Sequence, residues 1–105
     1  MAWFMLLLAG LFEVVWAVAM KQSHGFTRLW PSIITLVGSI ASFLLLSAAM
    51  RSIPLGTAYT IWTGIGAVGA FGVGIAVLGE QVNTMRVVAA VLIISGLILM
   101  KLSSD

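Results

Sequence analysis

Residues 2–20 read AWFMLLLAGLFEVVWAVAM, an apolar run with a single carboxylate, Glu13, near its middle. At about 1.5 Å per residue, a helix over this run crosses roughly 30 Å of hydrocarbon. A charged side chain at that depth costs about 2.5–3.5 kcal/mol on insertion scales, so such residues face a bundle interior or an aqueous cavity and mark ion or proton pathways. Glu13 is the first candidate site residue.

Outward from this run the apolar pattern repeats without a charge near the middle of any run. Residues 32–50, 56–79 and 86–102 are each long enough to span a bilayer. The 105 residues are 62% hydrophobic and 8% charged, with mean hydropathy +1.22, the composition of an integral membrane protein. The expected fold is all-α: one domain over 1–105, four transmembrane helices, and connections too short for a soluble catalytic domain. The first run reads as a true helix and not a cleaved signal, because no Lys or Arg precedes it and Glu13 interrupts it.

Several function classes drop out. Cysteine is absent, which excludes disulfides and thiolate chemistry. The single histidine, His24, lies in the first loop without further metal ligands and reads as a solvated loop residue. The net charge of +2 is spread over helix ends, so nucleic acid is not an expected partner. No nucleophile and base pair stands at membrane depth, so neither an enzyme nor an organic cofactor is expected.

The charges also bear on orientation. The first and third loops carry Lys21, Arg28 and Arg86, and the other side carries Arg51 and Lys101, three against two. The amino terminus adds a positive charge to the poorer side, so the bias that fixes topology nearly cancels and both orientations are permitted. Four helices scarcely enclose a substrate cavity, and many transporters build one from inverted repeats around a midplane site. Two oppositely inserted copies of this chain would supply that pair.

Helical spacing sorts the remaining candidates. Gly10, Glu13, Trp16 and Ala17 share a face of the first helix. An indole one turn from a carboxylate suits an organic cation; interfacial anchoring is the competing role for Trp16, as it is the expected one for Trp3 and Trp30. On the second helix, which opens at Pro31, Thr35, Gly38, Ser39 and Ser42 form a small, polar stripe. Such hydroxyls commonly bond their own backbone or a neighbouring helix, but Ser42 matches the depth of Glu13. Gly38 and Ser39 are candidates for a portal toward lipid.

The third helix carries Tyr59, Trp62, Thr63 and Gly66 along one face. Its Gly64-Ile65-Gly66-Ala67-Val68-Gly69 has the spacing of a dinucleotide fingerprint, yet it lies inside an apolar span without the preceding strand that motif needs. Gly64, Gly66 and Gly69 read instead as close packing and a candidate hinge. On the fourth helix, Ala89 and Gly96 offer a shallow groove for another helix, with incidental small residues on a lipid face as the alternative.

Three segments, Ala9-Gly10-Leu11-Phe12-Glu13-Val14-Val15-Trp16-Ala17, Gly25-Phe26-Thr27-Arg28 and Pro54-Leu55-Gly56-Thr57-Ala58-Tyr59-Thr60-Ile61-Trp62-Thr63-Gly64-Ile65-Gly66, together resemble the small multidrug resistance family over the whole chain. Trp16 and the wording around Tyr59 and Trp62 resemble its guanidinium-exporter subtype. The resemblance implies a multi-pass protein of the bacterial inner membrane that forms an antiparallel, dual-topology homodimer. It implies that both copies of Glu13 share a midplane site, that Ser42, Tyr59 and Trp62 position or line it, and that the fourth helix dimerises. Ala89 stands where some relatives have glycine, which bears on the tightness of that packing.

The implied activity is exchange of protons for guanidinium or small guanidinyl cations such as guanylurea. One carboxylate would serve both, with Glu13 reading charge and Trp16 and Trp62 as walls. The alternative is an exporter of quaternary ammonium or other lipophilic cations, whose ligands cannot donate hydrogen bonds and need a wider pocket. A channel would need a longer polar path than the Ser39 and Ser42 stripe.

Overall fold

The computed structural model describes residues 1–104. It consists of α1 (Ala2–Gln22), α2 (Leu29–Ala49), α3 (Leu55–Ala76) and α4 (Thr84–Ser104). Each is long and apolar enough to cross a membrane, as the four runs required. This is a multi-pass membrane protein.

The helix ends differ from the sequence expectation for local reasons. α2 begins at Leu29, ahead of Pro31, because proline in the first turn surrenders only an N–H that the helix would leave unbonded. α3 stops at Ala76 and not 79, where the chain turns through Gly79 at φ +70°. α4 starts at Thr84, with Asn83 Oδ1 accepting the Arg86 N–H at 2.9 Å as an N-cap contact.

The α1–α2 connection is a built turn. Ser23 is fully buried; its hydroxyl donates to Met20 O at 2.7 Å and accepts the Phe26 N–H at 3.0 Å. Thr27 and Arg28 N–H groups both donate to Ser23 O, at 2.8 and 3.1 Å. These bonds hold His24, Gly25 and Phe26 in succession at positive φ, which only the glycine adopts without cost.

Packing centres on α1, which lies against both α2 and α3, whereas α4 meets only α3 among the described residues. α2 buries Thr35, Gly38, Ser42, Leu46 and Ala49, a stripe at three- and four-residue spacing. Leu6 and Ala9 of α1, and Ala58, Ile61 and Trp62 of α3, complete the core with Ile53 of the second loop. Small residues set the helix separations. A Cβ on Gly38 would stand 3.1 Å from Trp16 Cβ, and one on Gly10 would stand 2.7 Å from Ile65 Cβ. The outer faces are lined with exposed Leu, Ile, Val and Phe, the surface a lipid-facing bundle presents.

Candidate functional site

Several hydroxyls in the helices bond their own backbone. Thr35 donates to Pro31 O at 2.8 Å, Ser39 to Leu36 O at 2.9 Å and Ser95 to Val91 O at 2.8 Å. Ser42 departs from this habit. Its hydroxyl donates across the helix interface to Ala9 O at 2.7 Å and accepts the Trp62 indole N–H at 2.9 Å. One buried hydroxyl therefore ties α1, α2 and α3 together. By the α-helical i to i−4 pattern, the Ala9 carbonyl is also the acceptor for the Glu13 backbone N–H, so this knot fixes the turn of α1 that carries the carboxylate.

Glu13 itself projects toward α3 at Gly66. The carboxylate occupies the space a side chain on Gly66 would need; a Cβ there would lie 2.8 Å from Glu13 Cγ and closer still to Cδ and Oε1. Among the described residues, two buried side-chain polar atoms have no hydrogen-bond partner, and they are Glu13 Oε1 and Trp16 Nε1. They sit one turn apart on α1. Such groups are costly to leave unmade, about 1–3 kcal/mol each and more when charged, and a bound group able to pair with them would recover that cost.

Aromatic rings extend the site from Trp16. Trp16 meets Phe43 edge-on, with centroids 6.3 Å apart and planes at 61°. Phe43 reaches Trp62 at 5.7 Å, and Trp62 reaches Tyr59 at 5.5 Å. Phe43 thus stands between the two indoles expected to form walls. Sequence reading did not single it out, because it lies beside Ser42 but off the buried stripe of α2, on a side that periodicity gives to lipid. Phe43 and Tyr59 are 50% and 53% exposed, so the aromatic row opens outward from a single chain.

The remaining candidates divide by helix face. Gly10, Gly66 and Gly69 lie where α1 and α3 meet, Gly10 against Ile65, Gly66 against Glu13 and Gly69 against Val14. Gly64 instead meets Leu97 of α4, and Thr63 lines the open groove between α3 and α4 with Tyr59 and Gly64. Gly38 underlies Trp16, at the end of an apolar groove between α1 and α2. α3 runs as one uninterrupted helix through all three glycines. Among the described residues no group of three or more His, Cys, Asp or Glu could hold a metal ion.

Residues 1–93 match the family model described as Small Multidrug Resistance protein. The chain is 56% identical over 104 residues to proteins named "Guanidinium exporter" from Escherichia coli (strain K12), Yersinia pestis and Citrobacter freundii. The match covers 99% of this chain and 99%, 100% and 99% of those proteins, respectively.

Proposed function

The chain belongs to the small multidrug resistance family, and from that premise we propose that it exports guanidinium and small guanidinyl cations across the bacterial inner membrane in exchange for protons. It is a transporter and not an enzyme. The observation that carries the substrate reading is the pair of unpartnered buried atoms, Glu13 Oε1 and Trp16 Nε1, beside an aromatic row.

Guanidinium matches this chemistry. It is planar, donates two parallel hydrogen bonds to a carboxylate and stacks on aromatic faces. A proton and a guanidinium are alternative occupants of one carboxylate, so loading either expels the other. If the protein reorients only when Glu13 is occupied, inward protons drive outward cations. Ser42 acts through the backbone, holding the Glu13 turn by its bond to Ala9 O, and Trp62 locks Ser42 in the rotamer that makes this bond.

The working unit in this reading is an antiparallel homodimer. A lone chain leaves Tyr59 and Phe43 half exposed and α4 without a buried residue in its span, so its site has one open side. The near balance of Lys21, Arg28 and Arg86 against Arg51 and Lys101 permits opposite insertion of the second copy. The test is guanidinium uptake into proteoliposomes under an imposed pH difference. Wild type should concentrate the cation, whereas Glu13→Gln, which keeps shape and removes titration, should not. Accumulation by Glu13→Gln would remove Glu13 from the coupling role.

A further inference from the structure

Glu80 is the only acid besides Glu13 among the described residues, and the transport cycle above leaves it unused. It is nevertheless held in place. Val77 N–H closes α3 on Val73 O at 2.8 Å, Gly79 takes φ +70°, and the reversed chain lets the Glu80 N–H donate to Gly74 O at 3.0 Å. This turn folds the Glu80 side chain back over the buried Gly74, with its Cδ 2.8 Å from where a Cβ would stand. Glycine at both 74 and 79 is therefore what seats this carboxylate: one by giving it room, the other by a backbone turn that other residues adopt only with strain.

The seat opens on a cavity of about 280 Å³ between α1 and α3. Its walls include Ala17, Ala67, Ala70 and Gly74, and both Lys21 and Glu80 line it. Ala17 stands one helical turn beyond Glu13 on the same face of α1, so the inner wall of the cavity begins one turn from that carboxylate, which does not itself line it. Glu13, Ala17 and Lys21 are spaced by four along one face of α1, placing the outer end about 12 Å along the axis from Glu13. Among the described residues neither Lys21 nor Glu80 has an ion-pair partner, and this ammonium and carboxylate line the same cavity.

We infer that Glu80 is a mouth carboxylate for the transported cation, receiving a guanidinium-class ion on its passage between water and Glu13, with Lys21 as the resident cation that competes for it. The inference rests on the guanidinium reading above. A carboxylate at the mouth raises the local concentration of cations, and a lysine on the opposite wall opposes it. The two residues thus set the apparent affinity for transport without setting the affinity at Glu13.

Initial rates of guanidinium transport in proteoliposomes, measured at low and high sodium chloride, test this, alongside equilibrium guanidinium binding to detergent-purified protein. Glu80→Gln should raise the transport KM by about threefold or more and flatten its salt dependence, because the screened charge is gone. Lys21→Met should lower KM in the same assay, and equilibrium binding by both variants should stay within about twofold of wild type. Wild-type transport with an unchanged KM and salt slope in Glu80→Gln overturns the inference alone. Loss of equilibrium binding in Glu80→Gln also overturns it, assigning Glu80 to the architecture of the site. Failure of the unaltered protein to transport guanidinium overturns the substrate reading and this inference with it.

Discussion

Gly66→Ala is the smallest change that sets the packing of the site against its chemistry. The added methyl would lie 2.8 Å from Glu13 Cγ and nearer to the carboxyl atoms, whereas carbon pairs settle at about 3.5–4.0 Å. Either the carboxylate leaves its seat or α3 moves off α1 by about 1 Å, a misplacement large for a positioned charge. Alanine improves helix propensity by about 1 kcal/mol while overpacking costs about 1–3 kcal/mol, so stability should fall by about 0–2 kcal/mol. Function bears the loss: guanidinium affinity should fall at least about tenfold, which corresponds to about 1.4 kcal/mol. Gly72→Ala is the matched control on the same helix, since nothing lies within 4 Å of its added methyl. Isothermal titration of both variants with guanidinium, beside thermal unfolding in detergent, separates the two effects. Wild-type affinity in Gly66→Ala would refute the seat and return Gly66 to the hinge role that its sequence context suggests.

Ser42→Ala removes the bond to Ala9 O and leaves the buried Trp62 N–H without an acceptor, so detergent unfolding should show a loss of about 1–3 kcal/mol together with weaker guanidinium binding. Gly96 has open space around it within one chain, so Gly96→Leu should leave the monomer fold intact by circular dichroism; if α4 joins two copies, it should shift the protein from dimer toward monomer in cross-linking. Two lysines added after Ser103 should drive the chain into one orientation, read by accessibility of an engineered cysteine in the first loop, whereas the unmodified charge balance should give labelling from both sides.

The sequence made the four spans legible because hydropathy over a bilayer's length is a long, redundant signal, and every run became a helix. Glu13 stood out for the same reason, as a charge inside one of those runs. Ser42 could be matched to Glu13 only by depth, and its bond to Ala9 O and Trp62 depends on how three helices meet, which no single-helix pattern encodes. Phe43 was hidden because periodicity assigns it to lipid, although it joins Trp16 to Trp62. The α3 glycines were visible as a group but not as individuals: Gly66 serves Glu13, Gly69 serves Val14 and Gly64 serves Leu97, a division set by interhelical contacts. The seating of Glu80 over Gly74 was equally invisible, because it follows from the turn at Gly79.

In the proposed cycle one carboxylate, Glu13, exchanges a proton for a guanidinium ion. Adding guanidinium chloride to the purified protein in weakly buffered detergent solution, with a pH indicator present, tests it most directly. Wild type should release protons in a saturable manner, Glu13→Gln should release none, and tetrapropylammonium should release fewer at the same concentration. Saturable guanidinium binding with no proton release, or equal release from Glu13→Gln, would contradict the exchange.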